Sequence, residues 1–310
     1  MDRRTLLKTL VAALMIRPDR AWGLDALAGG AGPSNFAAIY GDPVLRERFR
    51  PFLENVFHLY PEDRFHALIT KLTREQASDE AIYRALQTEL PTIEPMLADL
   101  TYAVPALRKQ KAEMSRQALE FVGRGATARG YVEIGTTGRY LSDLRRHMSI
   151  EGPIWIVNDA APGYGPVDVL ERGGFLPLGE FLPLAYGPLV VPEASVDLVT
   201  NFIGFHHCPD SRLDMFVSTI RRVLRPGARL LLRDHDVDDA TMWSLVALAH
   251  DVFNAGVGLS WDDNRRQVRR FRSIRTWTEY LGAHGFRVSP RTLAQDGDPT
   301  RNLMLEFVAA

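Results

Sequence analysis

The chain has 310 residues, 46% hydrophobic and 24% charged, the range of a folded protein of one or two domains, which excludes a fibrous repeat or a disordered tail. Its 37 Lys and Arg meet 38 Asp and Glu for a net charge of -1, so there is no global basic field to draw nucleic acid, and any anion site must be local. Cys208 is the single cysteine, which excludes an intramolecular disulfide and a cysteine-built zinc centre.

The chain opens Asp2-Arg3-Arg4-Thr5-Leu6-Leu7-Lys8, then an apolar run from Leu10 to Ile16, with small residues at Ala26 and Ala28. This order resembles a twin-arginine export signal, with residues 1–33 as leader and linker. The apolar run falls short of the roughly 20 residues a bilayer span needs. An amphipathic helix packed on the body of the protein is the competing reading.

Residues 34–124 read as helical. Apolar positions recur at three and four, as in Phe49, Phe52, Leu53, Val56 and Phe57, then Phe65, Leu68, Ile69 and Leu72. Pro61, Pro91 and Pro105 are expected to divide the stretch into short helices. With no strand-like alternation and no polar cluster, it reads as a helical cap or an oligomerisation element.

Residues 125–310 change texture. Short apolar runs alternate with helical stretches, which predicts an α/β domain built on a doubly wound, mostly parallel sheet. The predicted strands are 130–134, 153–158, 175–178, 196–202, 229–233, 286–291 and 303–308, and the predicted helices 140–147, 166–172, 212–223, 240–255 and 274–284.

Between the first strand and its helix stands Glu133-Ile134-Gly135-Thr136-Thr137-Gly138-Arg139. A glycine turn there lets backbone approach a ligand closely, and a helix N-terminus offers free amides to a carboxylate or phosphate. The second strand ends at Asp159, 24 residues after Gly135, placed to accept hydrogen bonds from vicinal ribose hydroxyls. A dinucleotide-binding dehydrogenase would call for a full G-x-G-x-x-G, which is absent.

Three later stretches fit one family. They are the segment Val196 to Phe202, the run Phe205-His206-His207-Cys208-Pro209-Asp210, and the turn Arg222-Val223-Leu224-Arg225-Pro226-Gly227. With the glycine loop, they resemble class I S-adenosylmethionine-dependent methyltransferases of the small-molecule type over roughly residues 125 to 310. The resemblance implies a Rossmann-like, seven-stranded sheet whose last two strands form an antiparallel edge hairpin, with S-adenosylmethionine as cofactor. Glu133 would then face the methionine ammonium, and Gly135, Thr137 and Gly138 would carry the backbone past it. Asp159 would hold the ribose and Glu180 the adenine amino group, with Asn201 and Phe202 bordering the sulfonium. The chain departs from the family pattern at Thr137 and Arg139, which stand where second and third glycines are usual, and at Ala228 in the Pro-Gly-Gly turn.

His206 and His207 follow the fourth strand; Asp234, His235 and Asp236 follow the fifth. Methyl transfer is an in-line displacement that needs positioning and water exclusion, and a base only where the acceptor must lose a proton. His206 or His207, or His235 oriented by a flanking aspartate (Asp234 or Asp236), is the expected base, with Asp234 among the candidate catalytic residues, against a purely structural role for the loop histidines. No metal is assigned, although a His/Asp metal site built from both groups is a third reading. His250 and Asp251 read as packing or lid residues. The segment Asn201-Phe202-Ile203-Gly204 lacks the NPPY-type signature of amino-methylating nucleic-acid enzymes.

Arg265, Arg266, Arg269, Arg270, Arg272 and Arg275 crowd the insertion before the final hairpin. They read as a solvated helix face paired with Asp262, Asp263 and Glu279, or as a grip on an anionic ligand or a membrane surface. The expected function is methyl transfer to a small or lipid-like acceptor, and the alternative is a non-catalytic binding or scaffold protein on a degenerate form of the fold. Export would separate such an enzyme from cytosolic cofactor supply, so localisation stands open between periplasm and cytoplasm. Oligomeric state is unread.

Overall fold

A computed structural model describes residues 34–57, 59–94, 102 and 104–310, and the twin-arginine-like segment lies outside them. The chain begins with helices α1 (Asn35–Tyr40), α2 (Pro43–Asn55), α3 (Glu62–Glu75), α4 (Asp79–Ile93) and α5 (Val104–Val122). Side-chain caps fix their starts: Ser34 accepts from the N–H of Ala37, Asp42 from those of Val44 and Leu45, and Ser78 from that of Ala81. Pro61 immediately precedes α3 and Pro105 sits in the first turn of α5, as punctuation should. Pro91 instead rides in the last turn of α4 without ending it.

The sheet comprises β1 (Thr127–Ile134), β2 (Ser149–Asn158), β3 (Glu180–Pro183), β4 (Val196–Asn201), β5 (Leu224–His235), β6 (Phe286–Ala294) and β7 (Asn302–Ala309). Its order is β3-β2-β1-β4-β5-β7-β6, with β1 to β5 parallel and β7 antiparallel to both of its neighbours. The order reverses between β1 and β4, the switch point where open α/β sheets place ligands at the strands' carboxyl ends. Helices α6 (Leu141–Leu144), α7 (Pro166–Arg172), α8 (Asp210–Val223), α9 (Ala240–Gly256), α10 (Trp261–Arg266) and α11 (Ile274–Ala283) complete the chain.

The third strand corrects the expectation for 175–178. Pro177 has no N–H for a ladder, and Phe175 and Leu176 lie exposed after the left-handed cap at Gly173, so pairing starts only at Glu180. The predicted helix over 140–147 contracts to the single turn of α6.

Three apolar cores result among the described residues. One sheet face meets α8 and α11 through Phe216, Ile220, Trp277 and Leu281. The other meets α5 and α6 through Met114, Ala118, Leu141 and Leu144. The third core joins α1 to α4 with α9, where Phe57 packs among Phe52, Tyr60, Phe65 and Phe253. Helix α5 therefore lies on the sheet, although in sequence it adjoins α1 to α4, while α9 is the surface on which those helices rest. Both faces of the parallel strands are covered, which is why β1 is buried at consecutive rather than alternate positions.

Candidate functional site

At the end of β1, Glu133 is 1% exposed, and its carboxylate is fully engaged within the chain. It accepts hydrogen bonds from the Tyr131 hydroxyl at 3.1 Å, the N–H groups of Tyr140 at 3.3 Å and Leu141 at 3.0 Å, and the Thr136 hydroxyl. Burial lifts its pKa while these donors oppose the rise. Glu133 thus caps α6 and ties down the glycine loop, and the ammonium contact implied by the resemblance has no free carboxylate oxygen to use.

Gly135 and Gly138 both have positive φ, +87° and +95°, which only glycine adopts without strain. A Cβ on Gly135 would lie 2.5 Å from Ile203 Cδ1, so the side chain after β4 occupies the space this glycine opens. Arg139 is 2% exposed, and its Nε donates to Glu171 Oε1 on α7 at 2.7 Å. The arginine in the third glycine's place is therefore committed to a buried ion pair.

Thr137 and Asn201 differ from these satisfied groups. Both are buried, and the Thr137 hydroxyl and both polar atoms of the Asn201 side chain make no hydrogen bond among the described residues. Asn201 ends β4 beside Ile134, the residue before the glycine loop. Asp159 follows β2, half-buried and near enough to Tyr186 for its charge to help hold that phenol protonated. Phe202 packs edge-on to Tyr140 at 4.9 Å.

Glu180 is a correction. It opens β3, paired in register with Trp155, whose indole N–H donates to it at 3.1 Å. It therefore sits at the amino end of the strand, and the resemblance's adenine contact would need a residue at the carboxyl end, beyond Pro183.

The loops after β4 and β5 do bring the predicted histidines together, and α9 adds His250. Ring centroids lie 4.2 Å apart for His206 and His207, 5.3 Å for His206 and His235, and 5.3 Å for His206 and His250. Asp234, fully buried, organises the group. Its carboxylate accepts from the N–H groups of Phe205 at 2.7 Å, His206 at 3.3 Å and His235 at 2.8 Å, and from His206 Nδ1 at 2.6 Å. Burial raises Asp234 to about 6 and lowers His206 to about 3 and His235 to about 4; His207 and His250 are driven down by the same cause. Near neutral pH the group is neutral imidazoles around one carboxylate. Asp236 stands apart, capping α11 through the N–H of Ile274 at 2.9 Å.

His250 and Asp251 split the reading made of them. Asp251 is structural: it accepts from Asn35 at 2.9 Å, Asn264 at 2.8 Å and Arg269 at 2.8 Å, joining α1, α9 and the insertion. His250 belongs to the histidine group, which spacing along the chain could not show. Most of the arginine run is paired: Arg266 with Asp263, Arg269 with Asp251, and Arg270 and Arg272 with Asp210. Of the acids expected as partners, Asp263 takes that role, while Asp210 and Asp251 supply the rest. Arg272 and Arg275 line an open cleft that also holds Asp236, Asp238 and Glu279, a mixed charge pattern. No helix among the described residues is long and apolar enough to cross a membrane.

Residues 179–232 match the family described as "Methyltransferase domain". None of the curated proteins compared matches the chain. Among solved structures, the chain is similar to the 1,6-didemethyltoxoflavin-N1-methyltransferase of Burkholderia thailandensis, determined with 1,6-didemethyltoxoflavin and S-adenosylhomocysteine bound. The two are 14% identical over 76% of this chain and 92% of that one, with a TM-score of 0.45. A S-adenosylmethionine-dependent methyltransferase of Aquifex aeolicus is 15% identical over 67% of this chain and 98% of that one, with a TM-score of 0.40. The strand order with its antiparallel seventh strand is that of the Rossmann-like methyltransferase fold, and the matched stretch 179–232 runs within it from β3 into β5.

Proposed function

We propose that the protein transfers the methyl group of S-adenosylmethionine to a small or lipid-like acceptor at the carboxyl edge of the sheet, with α1 to α4 and α9 as the cap over it. The observation that carries this reading is the pair of buried, unpartnered polar side chains at the switch point, Thr137 and Asn201. Buried polar groups are rarely left unsatisfied without a functional reason, and these two flank the place where the fold puts its ligand. They fit a polar cofactor: Thr137 and Asn201 would hold its amino-acid end, and Asp159 its ribose. When bound, the cofactor supplies an electrophilic methyl on a sulfonium.

The chain's own part is to position the acceptor and exclude water. Phe202 and Tyr140 provide an apolar wall beside the site. His206, His207 and His235 are neutral imidazoles near pH 7, and His207, whose Nδ1 faces the Val268 carbonyl and so leaves Nε2 bare, takes the proton of an acceptor that must lose it. Helices α1 to α4 with α9 as a cap, and α5 with the rest of 125–310 as the catalytic domain, are part of this proposal.

A second reading is favoured by a specific set of contacts. Ile203 against Gly135, the Arg139–Glu171 pair and the fully engaged Glu133 are what a sheet that has ceased to bind cofactor would also show. Calorimetric titration with S-adenosylmethionine and S-adenosylhomocysteine separates the two. Binding is expected, and Asp159→Ala should weaken it by about 1–3 kcal/mol through lost ribose hydrogen bonds. Folded protein that binds neither compound excludes the enzyme and leaves the scaffold.

A further inference from the structure

Three histidines from separate parts of the chain meet at one point. His206 comes from the loop after β4, His235 from the end of β5 and His250 from the middle of α9. One ligand atom from each lies within 4.8 Å of those from the other two. Their hydrogen bonds fix how the rings are turned. His235 Nδ1 faces the Thr300 carbonyl at 3.0 Å, and His250 Nδ1 faces the Val246 carbonyl at 2.9 Å. A carbonyl oxygen only accepts, so each Nδ1 carries the hydrogen. His206 Nδ1 faces an Asp234 carboxylate that already accepts three backbone N–H groups, so this Nδ1 donates as well.

Each ring is thereby left with a bare Nε2 lone pair, and those of His206 and His250 face each other. His206 Nε2 and His250 Nε2 stand 3.3 Å apart with no hydrogen assigned to either, an arrangement that repels unless a cation lies between them. The spacing has a simple meaning: two nitrogens bound at about 2.05 Å to one tetrahedral ion are separated by about 3.3 Å. Second-sphere partners are in place too, since metal-bound imidazoles ordinarily donate their other N–H to a carboxylate or backbone carbonyl.

We propose that His206, His235 and His250 form a binding site for a divalent transition-metal ion of the zinc class, with Asp234 and the carbonyls of Val246 and Thr300 as its outer sphere. The donor set is imidazole alone and differs from a mixed His/Asp site, because Asp234 is consumed in orienting His206. Imidazole donors suit zinc, copper, iron and nickel, and exclude magnesium and calcium, which want oxygen. Three protein ligands leave one position of a tetrahedral ion for water or a substrate heteroatom, the pattern of reactive rather than purely structural zinc. His250 is partly exposed, so the site is reachable, and Phe271 roofs it, with ring centroids 5.2 Å from His206 and 5.1 Å from His250. The site does not depend on cofactor binding, and metal titration without S-adenosylmethionine tests it separately.

The test uses full-length protein without a histidine tag, stripped with EDTA and titrated with Zn²⁺ against a chromophoric chelator, and with Co²⁺ followed by visible absorption. One equivalent of Zn²⁺ should bind, and Co²⁺ should give the intense bands of a four-coordinate, nitrogen-ligated ion. His250→Ala and His235→Ala should each weaken Zn²⁺ binding by ~100-fold or more, and Asp234→Asn by ~10–100-fold. His284→Ala, outside the group, should leave it unchanged. Failure of folded wild-type protein to bind a stoichiometric ion overturns the site, as does binding that survives His250→Ala. Should that variant not fold, the wild-type Co²⁺ spectrum decides: octahedral, weakly absorbing Co²⁺ refutes a three-histidine tetrahedral centre.

Discussion

Glu171→Ala is expected to cost about 3–5 kcal/mol of stability, the loss typical of stranding one partner of a buried ion pair. Both side chains of the pair are 3% exposed, and the Arg139 guanidinium lies against Glu171, with its centre 5.9 Å from that of the Tyr140 ring. Removing the carboxylate leaves a charge that cannot be neutralised, because guanidinium stays protonated at any physiological pH. The pair's own net worth is a separate quantity. Arg139→Met combined with Glu171→Leu should recover most of the loss, since apolar residues of similar volume often match a buried ion pair. Urea denaturation of the wild type and of the single and double variants measures both effects. A Glu171→Ala protein within about 1 kcal/mol of wild type would show that Arg139 finds water or another acceptor. The outcome also bears on the glycine loop, because Arg139 ends it and Glu171 anchors that end to α7.

Acid should destabilise the metal-free protein through its buried histidines, with Asp234, raised to about 6, opposing the effect in part because the folded state takes up its proton first. The histidine group is held neutral in the fold, with His206 at about 3 and His235 at about 4, against an ordinary value of 6.5. A folded-state pKa below the unfolded one means that the unfolded chain takes up the proton first as pH falls. The full stability contribution is therefore present above pH 6.5, and it erodes below that value until the folded pKa is reached. At about pH 5 the cost is on the order of 2 kcal/mol for each such histidine, nearly independent of how far below 4 its folded value lies. His207 and His250 shift in the same direction. Thermal unfolding of EDTA-treated protein at about pH 7.5 and about pH 5 reads this directly. An equal midpoint at both values would mean that the histidines titrate freely in the folded state. Replacing His250 by Gln should remove part of the pH dependence.

Much of the sheet could be read from residue order. The buried halves of β1, β2, β4 and β5 are largely β-branched or aliphatic, because parallel strands covered on both faces are continuously apolar, so such runs are found without contacts. The third strand failed that reading because Phe175 and Leu176 look like core residues while Pro177 and the Gly173 cap stop them pairing. That shift moved Glu180 to the wrong end of the sheet for an adenine contact. Asp159 and Asn201 do lie at the carboxyl ends of β2 and β4, where the apolar runs put them, because a strand end is fixed by its own residues.

Composition, the glycine turn and the Arg-Val-Leu-Arg-Pro-Gly turn by themselves determined the fold class and the strand ends where a ligand would sit, because those features are local in the chain. Packing alone decided which side chains are spent and which are free. Glu133 looks like a ligand contact in sequence and Arg139 like a departure from the glycine pattern, yet both are consumed, by Thr136 and α6 and by Glu171. His250 looks like one polar residue on an apolar helix, and becomes the third member of a histidine group only because α1 to α4 press α9 against the ends of β4 and β5. A strand end is set by neighbours one or two residues away, whereas the meeting of three imidazoles is set by elements up to 44 residues apart, which only the tertiary structure brings together.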